Sequence, residues 1–78
     1  MNYTADQAKA HAREAVEGAR DQSILDIKAV IVLENEAFTS GPVALTYSDL
    51  AIARECAAEH TANPLMAVWF FTIEEMRG

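Results

Sequence analysis

The sequence has little cysteine and few basic residues, and each scarcity excludes a class of protein. Its single cysteine, Cys56, rules out a disulfide within the chain, and with it a small secreted fold held together by disulfides. Only six Lys and Arg stand against twelve Asp and Glu, which gives a formal net charge of −6. This charge has the wrong sign for counterion release from a phosphate backbone, so direct binding to nucleic acid is not expected.

Glycine and long apolar runs are also scarce. The three glycines are scattered and none opens a glycine-rich turn before a helix, so a phosphate-binding loop is not indicated. The apolar stretches 29–33 and 64–71 are too short to span a bilayer, and residues 1–10 lack the basic and apolar regions of a secretory signal. We therefore expect a cytoplasmic protein with no membrane partner.

The residues that are present are those of one folded domain, residues 1–78. Hydrophobic residues make up 51% of the chain and charged residues 23%, unlike a disordered acidic tail. Apolar residues at helical spacing predict a helix over 4–20, with Thr4 as N-cap and a buried stripe made almost entirely of alanine. A β-branched run predicts a strand over 27–38, although a buried helical segment would show the same pattern.

The second half of the chain continues with a turn and three further elements. Residues 39–42 form a turn by composition, and 42–46 then return as a strand in a hairpin. A helix follows over 50–60, with Ser48 as N-cap. The dipeptide at 63–64, Asn-Pro, ends this helix, and the aromatic segment 65–73 is a strand.

The order helix, strand, strand, helix, strand predicts a small α+β domain. We expect two helices packed on one face of a two- or three-stranded, mainly antiparallel sheet, with the last strand beside the first. Two helices leave one face of such a sheet partly uncovered. We therefore expect a partner or a second copy of the chain on that face. One function that this predicts is that of a homo-oligomeric structural or accessory protein, with Trp69 or Phe70 at the interface.

The sequence contains no pattern that indicates catalysis, a cofactor or a metal site. Cys56 and His60 share one helix face at i, i+4, but two further ligands are missing and a cysteine on an apolar face usually behaves as a small hydrophobic residue. His11 flanks the alanine stripe and is interpreted as a boundary residue. The run Trp69-Phe70-Phe71 lacks the interleaved basic residues of a base-stacking surface and is interpreted as core. We predict a non-enzymatic protein.

The acidic residues are concentrated in the second half of the chain. Two interpretations stay open: the charge keeps an apolar protein soluble, or spaced carboxylates imitate nucleic-acid phosphates and occupy a basic groove in a nucleic-acid-handling protein. Under the second interpretation the candidate contacts are Glu34, Glu36, Asp49, Glu55, Glu59, Glu74 and Glu75. Parallel first and last strands would gather most of these at one end of the sheet, whereas an antiparallel arrangement divides them between two ends.

The segment 47–60, Tyr-Ser-Asp-Leu-Ala-Ile-Ala-Arg-Glu-Cys-Ala-Ala-Glu-His, is followed by Asn-Pro at 63–64 and a strand ending in Glu74-Glu75. This layout resembles the small, acidic, single-domain inhibitors of phages and mobile elements, of which anti-CRISPR proteins are the best-known group. The resemblance implies a non-enzymatic protein that acts in the host cytoplasm. It would bind a Cas effector at a basic surface that otherwise receives target DNA. These inhibitors share no sequence motif, so no functional residue is transferred from them.

Overall fold

The computed structural model describes residues 3–77, which form three helices and a three-stranded sheet. Along the chain the elements are α1 (Ala5–Asp21), β1 (Ala29–Glu34), β2 (Val43–Tyr47), α2 (Leu50–Thr61), β3 (Ala67–Thr72) and α3 (Ile73–Arg77). The α+β class and the order of the first five elements are confirmed.

The central strand of the sheet is β1, and its sequence explains its position. The strand order is β2-β1-β3 and both pairings are antiparallel. The first four residues of β1, Ala-Val-Ile-Val, are fully buried and Leu33 is nearly so. Successive side chains of a strand point to opposite faces, so a strand that is apolar at every position is stable only where both faces are covered.

One face of the sheet is covered by α1. Val30 and Val32 of β1 pack against the buried stripe of α1, in which Val16 is the only residue larger than alanine. Trp69 and Phe71 pack against the same cluster from β3, and the Tyr3 ring meets Trp69 edge to face, with 5.1 Å between ring centroids. Alanine contributes little apolar area but lets the helix backbone lie close to the sheet.

The other face is covered by α2, which differs from the prediction that both helices share one face. The side chains of Ala29, Ile31 and Leu33 are buried but do not belong to the α1 cluster. Over this face α2 packs against all three strands and buries Ala53 completely. Because β1 is apolar on both sides, a helix is needed on each side, and the expected uncovered face does not form over β1.

Two local predictions need correction: the N-cap of α2 and the lengths of β1 and β3. The N-cap of α2 is Asp49 and not Ser48, because Asp49 Oδ1 accepts a hydrogen bond from the Ile52 N–H at 3.0 Å. β1 and β3 are also shorter than predicted, whereas β2 has the predicted length and begins one residue later. After β1, Asn35 begins a turn in which its side-chain oxygen accepts from the Ala37 N–H at 2.8 Å, and this ends the strand.

The prediction missed the short helix α3, although a capping pattern marks its start. Thr72 Oγ1 accepts from the Glu75 N–H, and Glu75 Oε2 accepts from the Thr72 N–H, each at 3.3 Å. A Thr followed three residues later by Glu is the sequence signature of this reciprocal cap. In consequence β3 ends at Thr72, and Met76 of α3 is buried in the α1 core.

Replacement of the α2 cap tests its role in stability. We expect Asp49→Ala to lower the free energy of unfolding by about 1 kcal/mol, because the Ile52 N–H loses its acceptor. Asp49→Asn keeps a side-chain acceptor and is the matched control, with a much smaller loss. Urea denaturation of the three proteins measures the difference, and equal losses for both variants would contradict the capping role.

Candidate functional site

The seven carboxylates proposed as contacts do not form one surface. In the antiparallel sheet, the end of β1 and the start of β3 lie together, and Glu34 is opposite Ala67. Glu34 and Glu36 line a groove at this end, called the acidic groove, together with Asn35 and residues 64–67. Asp49, Glu74 and Glu75 belong to the opposite end, where β2 and β3 finish.

Two of the three carboxylates at that opposite end have structural partners. Asp49 caps α2 and Glu75 completes the cap of α3, so each accepts a backbone hydrogen bond. The third, Glu74, lines a groove between α2 and α3 with Lys28, Arg54 and Arg77. Two of these carboxylates thus accept capping hydrogen bonds and the third lies among basic side chains, so all three are weaker candidates for contact with a cationic partner.

The remaining two carboxylates lie on the outer side of α2. Glu55 and Glu59 are one helical turn apart and both are exposed, at an axial separation of about 6 Å. Ile52, which is 52% exposed, and the exposed Ala51 and Ala58 surround them. We call these five residues the α2 acidic face. It combines two like charges with an apolar surround, unlike the mixed charges of α1.

Ion pairing distinguishes the acidic positions further. Within residues 3–77 the one ion pair is Lys28 Nζ to Asp26 Oδ1 at 3.3 Å. Hence the carboxylates of the α2 acidic face and of the acidic groove have no cation within 4.0 Å in the described part of the chain. Their charge is left for solvent or for a partner.

The basic side chains gather at the end of the molecule where β3 finishes, which the sequence did not indicate. A second groove lies between α1 and α3 and is lined by Arg13, Glu17, Arg20 and Arg77 beside the buried Val16 and Met76. Together this groove and the groove between α2 and α3, called the α3 grooves, hold five of the six Lys and Arg of the chain. These residues are scattered from position 13 to 77, so no local pattern predicts their meeting.

The Tyr47 hydroxyl is the main perturbed group beside the α2 acidic face. Burial raises its pKa above the usual 10.0, and the adjacent Cys56 thiol and the Glu59 charge raise it further.

Cys56 is half-buried and His60 lies one turn beyond it. Within residues 3–77 no group of three or more His, Cys, Asp or Glu is placed to hold a metal ion. No helix in the same part of the chain has the length and apolar character to cross a membrane.

The raised pKa of Tyr47 predicts a loss of stability in alkali. The folded protein holds the phenolic proton more tightly than the unfolded chain, so this contribution is intact below pH 10.0 and lost as pH rises above it. We expect Tyr47→Phe to reduce the decline of the free energy of unfolding above pH 10.0, as measured by urea denaturation at several pH values. An unchanged decline would contradict the assignment.

Comparison of the chain with protein-family models, with curated proteins and with solved structures finds no match.

Proposed function

We propose that the protein is a non-enzymatic inhibitor that binds a basic, nucleic-acid-binding surface of another protein through exposed carboxylates. The observation that carries the proposal is the α2 acidic face, with two neighbouring carboxylates that no cation of residues 3–77 neutralises. A Cas effector is the partner proposed for the first test, following the anti-CRISPR resemblance of the sequence. A basic groove that normally receives DNA has the complementary charge.

The energetics of α2 favour this use of the two carboxylates. Like charges at i, i+4 destabilise a helix by about 0.2–0.5 kcal/mol, and Glu55 and Glu59 make such a pair. The pair also faces outward beside the exposed Ile52. No basic side chain of residues 3–77 pairs with the two glutamates, so none covers Ile52 from that side. A basic partner surface would remove the repulsion and cover the apolar side chain at the same time.

Solubility alone is the competing explanation for the acidity, and location separates the two. If the charge serves only solubility, neutralising any two exposed carboxylates changes solubility equally, and no pair matters more than another for inhibition. If the α2 acidic face binds a partner, only its own carboxylates matter. Glu14 and Glu17 on α1 are also exposed and lie one turn apart, so they provide a matched pair with the same change in net charge.

The test is the binding of a Cas effector loaded with its guide RNA to target DNA, measured by gel shift with and without the protein. Across effectors of several CRISPR types, we expect at least one to lose DNA binding. Direct binding of the protein to the effector, measured without DNA, should be lost when the salt concentration rises from 0.1 to 1 M, because the screening length shortens from about 10 Å to about 3 Å.

The double variant Glu55→Gln, Glu59→Gln should weaken the inhibition about tenfold or more, because two charge pairs with the effector are lost. Glu14→Gln, Glu17→Gln should leave it unchanged. Circular dichroism should show both variants folded. Equal inhibition by the two variants would reject the α2 acidic face, and the absence of inhibition for every effector would reject the Cas partner.

A further inference from the structure

The outer edge of β3 lacks the features by which proteins usually prevent strand pairing. In the described residues β3 pairs on one side only, with β1. Its six residues, Ala-Val-Trp-Phe-Phe-Thr, include no charge, proline or glycine, and all six are half-buried. Exposed sheet edges are normally protected by charged side chains, proline, bulges or a short strand, because their free backbone groups attract another strand.

The other edge strand, β2, is better protected. Pro42 directly precedes it and offers no N–H for further pairing, and Gly41 before that adopts a positive φ of 90° that does not continue a strand. The strand is also one residue shorter than β3. An added strand is therefore expected at β3.

Charge differs between the two ends of β3. At its start lies the acidic groove, whose lining includes Glu34 and Glu36 and no basic side chain. At its end lie the α3 grooves, whose lining includes five basic side chains and two carboxylates, Glu17 and Glu74. Arg77 lines both of the α3 grooves.

Symmetry decides which ends meet when two copies pair. A two-fold axis perpendicular to the sheet joins two β3 strands antiparallel and keeps each face of the sheet continuous. The start of β3 in one copy then lies beside the end of β3 in the other. The acidic groove of each copy therefore meets the α3 grooves of its partner, twice in one dimer, whereas parallel pairing would place like ends together.

We propose that a second copy of this chain docks on the β3 edge, which makes a continuous sheet of order β2-β1-β3-β3-β1-β2 with two symmetric charge contacts at the joint. The inference goes beyond the proposed inhibitory function and does not use the α2 acidic face. Sedimentation velocity on the pure protein tests it with no Cas effector present, so the two proposals can fail separately.

Charge swapping provides the specific test. In one variant Glu34→Lys and Glu36→Lys reverse the acidic groove, and in another Arg54→Glu and Arg77→Glu reverse the opposite end. Lys28 is left in place because it pairs with Asp26. Each variant alone places like charges in contact, and we expect its dimer dissociation constant to rise about tenfold or more. The variant with all four substitutions regains complementary ends with reversed sign and should dimerise again.

The control variant Glu55→Lys, Glu59→Lys changes the net charge as much as the first variant but lies on the outer side of α2, and its dimer should be no weaker than that of the native chain. Circular dichroism verifies that each variant is folded. Hydrogen exchange of the native protein should become slower at the β3 amides as the protein concentration rises. A monomer at every concentration would overturn the proposal, and so would a dimer in which the fourfold variant is not restored.

Discussion

The whole architecture depends on the burial of β1 on both faces. The first five residues of β1 are apolar, so the strand would lose stabilising free energy wherever one of its faces met water, and it requires a layer above and a layer below. The helix α1 provides one layer and α2 the other, and β2 and β3 satisfy the backbone on both sides. Within residues 3–77 no further strand is left to pair with the outer edges of β2 and β3.

The acidic residues have different roles within this fold. The helices α2 and α3 each begin within a few residues of the end of a strand, and Asp49 and Glu75 provide acceptors for backbone N–H groups at those starts. Their charge is explained by local backbone geometry. Glu55 and Glu59 have no such role, since they lie in the middle and last part of α2 and point to solvent. A functional role for the acidity must therefore rest on fewer positions than the net charge suggests.

Much of the fold can be predicted from the sequence because its signals are local. The Thr4 cap, the alanine stripe of α1 and the β-branched run of β1 each indicate their own element. The adjacency of β1 and β3 follows from the preference for short connections that do not cross, because α2 returns the chain to the free edge of β1. The placement of α2 on the opposite face was predicted wrongly, although the unbroken apolar run of β1 contains the reason. The division of the carboxylates between two ends was foreseen only conditionally, since strand direction is a tertiary property. The gathering of Arg13, Arg54 and Arg77 had no sequence signal, because it depends on three elements meeting around α3.

The position of β3 after α2 in the chain has a consequence for the order of folding. The β1–β2 hairpin closes across a short turn, but β3 joins β1 only after α2 has been made and laid across the sheet. Long-range pairing of this kind has the larger loop-closure entropy and tends to come late. During synthesis, one edge of β1 therefore stays unpaired until β3 has left the ribosome, and an exposed apolar strand edge at this stage is prone to aggregation unless folding is fast or a chaperone binds it.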